Sequence, residues 1–228
     1  MAAFRVALTF DAEHPDRPTA PGVTDRIIDI LGDRGIAATF FVQGRWVEAY
    51  PDVAKRLVPA GHLIGNHSHY HARMPLLSGT GFRSDVRTAG TIIEDRMGVD
   101  PRPWFRCPFG AGADRPRIHE RLAALGYRDV GWDVDPRDWF VRRPRPLAES
   151  VHRQALERGD GAILLFHGWP LVTPLALPEL IERLRDDGAE FVRIDALPDL
   201  PVSPAEPPGV AAALEAAPPT PTPTAAAG

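Results

Sequence analysis

Short apolar runs rich in β-branched and aromatic residues alternate with longer amphipathic stretches along almost the whole chain. No other feature restricts its fold as much. The runs cover residues 5–10, 37–42, 62–65, 104–105, 128–133, 162–166 and 190–194, and the helical candidates between them cover 23–33, 52–60, 78–97, 116–125, 146–158 and 174–187. In the second helical stretch Val53, Leu57 and Val58 fall on one face. Gly35, Gly61, Gly126 and Gly188 each stand just before an apolar run, where a left-handed residue closes a helix. Strand, helix and glycine in regular succession predict a parallel α/β architecture. For a chain of 228 residues, a closed or nearly closed barrel fits better than a doubly wound open sheet.

The end of the chain breaks the pattern. Residues 199–228 are dominated by proline, alanine and threonine, which offer little apolar surface to offset the entropy of ordering, and they read as a disordered tail behind one folded domain at 1–198. The formal charge of −4 is spread over intermixed acids and bases with no dense Lys/Arg run, which argues against a nucleic-acid binder or a membrane-surface protein. No stretch has the length and apolarity of a membrane span, and Met1 runs straight into the first strand without a leader. As written the chain reads as cytoplasmic, or as secreted if its true start lies upstream. Cys107 is the single cysteine, so an intramolecular disulfide and a multi-cysteine zinc site are both impossible. The oligomeric state is not legible.

In parallel α/β folds the reactive groups collect at the carboxyl ends of the strands. The first run ends in D-A-E-H (Asp11 to His14), the third leads into G-N-H-S-H-Y-H (Gly65 to His71), and the fourth into F-R-C-P-F-G (Phe105 to Gly110). W-D-V-D-P-R-D-W (Trp132 to Trp139) follows the fifth, and the sixth finishes at His167. His67 and His71, four positions apart, can face one ion, and a carboxylate from elsewhere would complete a facial set. With water in the open positions such a site generates a hydrolytic nucleophile near neutral pH. His62 and His69 read as bystanders.

These motifs, in this order, resemble the polysaccharide deacetylase family, the NodB-homology domains of carbohydrate esterase family 4. The likeness covers roughly residues 4–195 and rests on Thr9-Phe10-Asp11-Ala12-Glu13, His67-Ser68-His69-Tyr70-His71, Arg106-Cys107-Pro108-Phe109-Gly110, Asp135-Pro136-Arg137-Asp138-Trp139 and Leu165-Phe166-His167. The resemblance implies a distorted (β/α)7-8 barrel of NodB type holding one divalent ion, zinc first, with cobalt or nickel as alternatives. It makes His67 and His71 ligands, Asp11 the general base and Arg106 its holder. The backbone N–H of Phe109 becomes an oxyanion donor, and His167 the general acid, oriented by Asp135. The implied reaction is removal of an acetyl group from an N-acetylated sugar. Trp139 and Trp169 flank motif residues and are candidates for contact with a carbohydrate or small-amide substrate.

Two departures qualify the likeness. The second aspartate of the family's T-F-D-D-G, its third metal ligand, is Ala12 here, and Glu13 is the nearest replacement, ahead of His14 and Asp16. If the strand stays extended through residue 13, side chains 11 and 13 share one face, so D-x-E delivers base and ligand together. The second is Gly168, where the family often has an aspartate. Competing readings are a metal-independent, allantoinase-like amide hydrolase on the same fold and an inactive carbohydrate-binding protein.

Overall fold

The computed structural model of the protein describes residues 3–16 and 20–203. Seven parallel strands form the sheet: β1 (Phe4–Ala12), β2 (Thr39–Val42), β3 (Leu63–Asn66), β4 (Trp104–Phe105), β5 (Arg128–Asp129), β6 (Ala162–His167) and β7 (Ala189–Phe191). Their order is β5-β4-β3-β2-β1-β6, with β7 paired to the start of β1. Helices α1 (Val23–Asp33), α3 (Pro51–Leu57), α4 (Gly79–Met97), α5 (Pro116–Ala123), α6 (Pro144–Arg158) and α7 (Val172–Asp186) follow the predicted alternation. A short α2 (Gly44–Ala49) was not expected, since G-R-W-V-E-A is too brief to show a helical period.

The fifth strand is shorter than residues 128–133 suggested. Beyond Asp129 the chain leaves β4 and crosses to β6, where Val134 pairs with Leu164 and curls the sheet towards a closed barrel. Residues read as the start of a tail lie beside this crossing. Gly131 N–H donates to the Pro201 carbonyl, and the Asp129 carboxylate accepts both the Ser203 backbone N–H and its hydroxyl. Ser203 is buried, and a Cβ on Gly131 would collide with the Val202 backbone. The tail therefore cannot begin at 199; residues 204–228 lie outside the described residues.

Strand alternation sorts side chains between two environments. Val6, Leu8, Phe10 and Ala12 of β1 pack outward against the helices, where Phe10 stacks on Phe40 at 4.9 Å and on Phe166 at 5.8 Å. Such pairs contribute roughly 0.5–1.5 kcal/mol each beyond their buried area. Ala7 instead packs in a second cluster with Phe41, Val130 and Ile163, and Thr9 and Asp11 follow it on that face. Gly65 leaves room for the Phe41 ring, since a Cβ there would lie 2.5 Å from a ring carbon. No helix among the described residues is long and apolar enough to cross a membrane.

Candidate metal centre and catalytic groups

Because β1 stays extended through Ala12, Glu13 emerges on the same side as Asp11, while Ala12 is buried in the outer core. The Glu13 carboxylate meets the two histidines presented after β3. Its Oε2 is 3.2 Å from His67 Nε2 and in direct contact with His71 Nε2. The ligand atoms of Glu13, His67 and His71 all lie within 4.8 Å of one another, and all three residues are buried.

The 67–71 loop is fixed from several directions. Asn66 Oδ1 accepts the Ser68 N–H, Ser68 Oγ accepts the His71 N–H, and the buried Asp85 carboxylate of α4 accepts the N–H groups of His69 and Tyr70. His67 Nδ1 donates to the Arg106 carbonyl at 2.9 Å, which leaves Nε2 facing Glu13. Burial pushes the His71 imidazolium down to about 4 against the opposing charge of Glu13, so this ring is a neutral lone-pair donor at pH 7. Burial alone would raise Glu13, but His71, His14 and His67 together hold its carboxyl well below the usual range. Two imidazoles and one ionised carboxylate, converging in a buried site, suit a divalent ion of zinc, cobalt or nickel type.

On one side of this group lies the Asp11–Arg106 pair. Arg106 is fully buried; its Nη1 donates to Asp11 Oδ1 at 2.8 Å and to Thr9 Oγ1, and its Nε and Nη2 donate to the carbonyls of Val130 and Gly131. The guanidinium also stacks 4.1 Å over the Phe41 ring. With Oδ1 so engaged, Asp11 turns Oδ2 towards the Glu13–His67–His71 group, 3.6 Å from His67 Nε2.

His167, the last residue of β6, stands on the other side with Nε2 4.0 Å from Glu13 Oε1. Its partner corrects the sequence reading: Nδ1 donates to Asp138 Oδ1 at 2.8 Å, not to Asp135. Asp135 instead accepts the N–H of Arg137, two residues on, and this turn, with Arg137 at φ +50°, delivers Asp138 to the imidazole. Asp138 is held in turn by the His167 N–H and by Thr173 Oγ1. Burial opposes a charge on His167, yet the Asp138 carboxylate, helped by Glu13 and Asp11, raises it to about 9.

Phe109 and the two tryptophans come to the same mouth. The Phe109 ring lies edge-on to His71 at 4.4 Å, beneath the Arg73 guanidinium, and Trp139 meets the His167 ring at 4.7 Å. Trp169 donates from Nε1 to Glu13 Oε1 at 3.3 Å, a contact with a ligand candidate that the sequence did not suggest. His14, Ser68, His71, Phe109 and Arg137 are the non-glycine residues with positive φ among those described, and all belong to these loops. Such conformations are costly and persist where the surroundings over-determine them.

A curled parallel α/β barrel with a facial Glu-His-His group, flanked by a buried acid–arginine pair and an acid–histidine pair, defines the class of the protein. The chain belongs to the polysaccharide deacetylase family, whose model matches residues 2–130. Peptidoglycan-N-acetylmuramic acid deacetylase PdaC of Bacillus subtilis is 34% identical over 196 residues, covering 86% of this chain and 39% of its own length. Among solved structures, a T48 deacetylase with substrate superposes with a TM-score of 0.74 at 33% identity, covering 89% of this chain and 96% of that one. BA3943 from Bacillus anthracis, described as a CE4 family pseudoenzyme, gives a TM-score of 0.76 at 30% identity, covering 86% of this chain and 66% of that one. Membership of the family therefore does not by itself guarantee turnover, and the side chains of the site must carry that argument.

Proposed function

We propose that the protein is a divalent-metal-dependent deacetylase that hydrolyses the N-acetyl group of a glycan, with Glu13, His67 and His71 as the metal ligands. One observation carries this reading. The Glu13–His67–His71 group lies between the Asp11 carboxylate, paired with Arg106, on one side and the His167 imidazole, held by Asp138, on the other, the arrangement two opposed proton transfers require. A zinc, cobalt or nickel ion at this group would polarise water and the acyl oxygen.

Asp11 Oδ2 takes a proton from the attacking water while Arg106 keeps the carboxylate aimed. The water oxygen bonds to the carbonyl carbon, and the backbone N–H of Phe109 would stabilise the developing oxyanion. The C–N bond then breaks as His167 Nε2–H protonates the nitrogen, which leaves as the free amine with acetate as the second product. Asp138 holds the imidazole through Nδ1 and keeps it charged until that step. Phe109, Trp139 and Trp169 pack against the His71 and His167 rings and are the aromatic candidates for contact with a sugar. Likeness to PdaC supports an N-acetylated peptidoglycan-type glycan as substrate. The ligand group favours the metal-dependent reading over a metal-independent amide hydrolase.

The test is acetate release from peptidoglycan fragments and chitooligosaccharides by protein stripped with a chelator and reloaded with zinc, cobalt or nickel. Release should vanish on stripping and return on reloading; no release with any of these ions overturns the proposal. The acid also predicts a pH effect. His167 must be protonated to act, so kcat/KM should fall as pH rises through about 9. In Asp138→Asn that alkaline limb should move to lower pH, with kcat at pH 8 reduced by up to roughly 10²-fold. An unmoved limb would show that Asp138 does not set the acid.

A further inference from the structure

The Glu13 carboxylate has two oxygens, and the structure treats them differently. Oε2 faces His67 and His71, while Oε1 takes the Trp169 Nε1–H at 3.3 Å and meets His14 Nε2 at 3.0 Å. His14 reaches back to its own neighbour because its backbone is left-handed, at φ +57°. The buried Gln43 holds that conformation: its Oε1 accepts the His14 N–H at 2.9 Å, and its Nε2 donates to the His69 carbonyl at 3.1 Å. One side chain thus ties the loop carrying Glu13 to the loop carrying both histidines. Trp169 is placed from the opposite side, by Gly168, whose N–H donates to the Asp11 carbonyl.

A glutamate has one more rotatable bond than the aspartate it would replace, so it loses more freedom on being fixed and can present one oxygen, two or none to an ion. We infer that His14 and Trp169 are positioning residues that clamp Glu13 Oε1, leave Oε2 as the single metal-facing oxygen, and so make a glutamate serviceable where Ala12 supplies no ligand. This rests on the metal reading of the site. It also gives a role to both departures: Ala12 yields the ligand to Glu13, which His14 braces, and Gly168, whose N–H bonds the Asp11 carbonyl, precedes the Trp169 that holds Oε1. Partners of this kind, which orient a ligand without touching the ion, typically account for 10–100-fold in metal affinity.

Zinc affinity of the stripped protein, measured by competition with a chromophoric chelator, tests the clamp independently of turnover. Trp169→Phe keeps an aromatic side chain but removes the indole N–H together with its five-membered ring; His14→Asn keeps a residue that tolerates positive φ. Each should weaken zinc binding by roughly 10-fold or more, with unchanged far-UV circular dichroism, and the visible bands of the cobalt-loaded variants should shift as the carboxylate changes denticity. In a Glu13→Ala background neither substitution should weaken binding further. Zinc affinity within about twofold of wild type in Trp169→Phe overturns the clamp, also where His14→Asn alone binds weakly, since His14 would then be a ligand. An undiminished effect in the Glu13→Ala background overturns it too. In those cases a wild-type protein that binds zinc and releases acetate leaves the proposed function standing; a wild-type protein that binds no zinc removes both.

Discussion

Asp11→Asn should lower kcat for acetate release by about 10³-fold, within the range of about 10²–10⁴ that a positioned general base supplies. The asparagine oxygen can still accept from Arg106 Nη1, so the buried guanidinium keeps a partner and the fold should survive. What is lost is the proton acceptor at Oδ2. Asp11 stands beside the ligand group rather than within it, so zinc affinity should change by only a few-fold. Rate and metal content measured on one preparation separate the two roles. A variant retaining more than a tenth of the wild-type rate would remove Asp11 from the reaction, and one that loses its zinc would make it a ligand.

The second large effect concerns stability. Arg106 is wholly buried, yet its charge is paired with Asp11 and its donors are used on Asp11, Thr9, Val130 and Gly131. Arg106→Leu leaves a buried carboxylate without a counter-charge and two carbonyls without donors, a loss of about 3–5 kcal/mol. In a chain of this size that lowers the melting temperature by roughly 10 °C. Arg106→Lys should recover little, because an ammonium cannot reproduce the planar fork or the stack on Phe41. Removing both charges in Asp11→Leu/Arg106→Leu should restore part of the loss, since the isolated buried charge is the costly species. A melting temperature within about one degree of wild type in Arg106→Leu contradicts this account.

Most of the frame was legible because it depends on local pattern. The alternation of apolar runs with amphipathic stretches sufficed for the number and order of the strands, though not for the end of β5, and for all helices except α2, and the extended geometry of β1 sufficed to place Glu13 beside Asp11 and Ala12 away from it. What pattern could not carry was the choice between equivalent side chains on irregular backbone. Asp135 and Asp138 differ only in which one the turn at Arg137 consumes. Gln43 was within reach, being the polar residue that directly follows β2, and so was Asp85, an acid on the buried face of α4 with Phe82 and Val86. Thr173, which bonds Asp138 from the first turn of α7, carried no signal. Residues 201–203 looked like tail because their composition is poor in apolar surface; they are held by hydrogen bonds to Asp129 and Gly131, which composition does not count.

The central claim is that Glu13 has taken the ligand position that Ala12 cannot fill. Anomalous diffraction at the zinc edge, from crystals of the zinc-loaded protein, tests it directly. The account predicts one peak, about 2.0–2.2 Å from a single Glu13 oxygen and from the Nε2 atoms of His67 and His71. A peak coordinated by Asp11 or His14 in place of Glu13, or no peak between these residues, would contradict it.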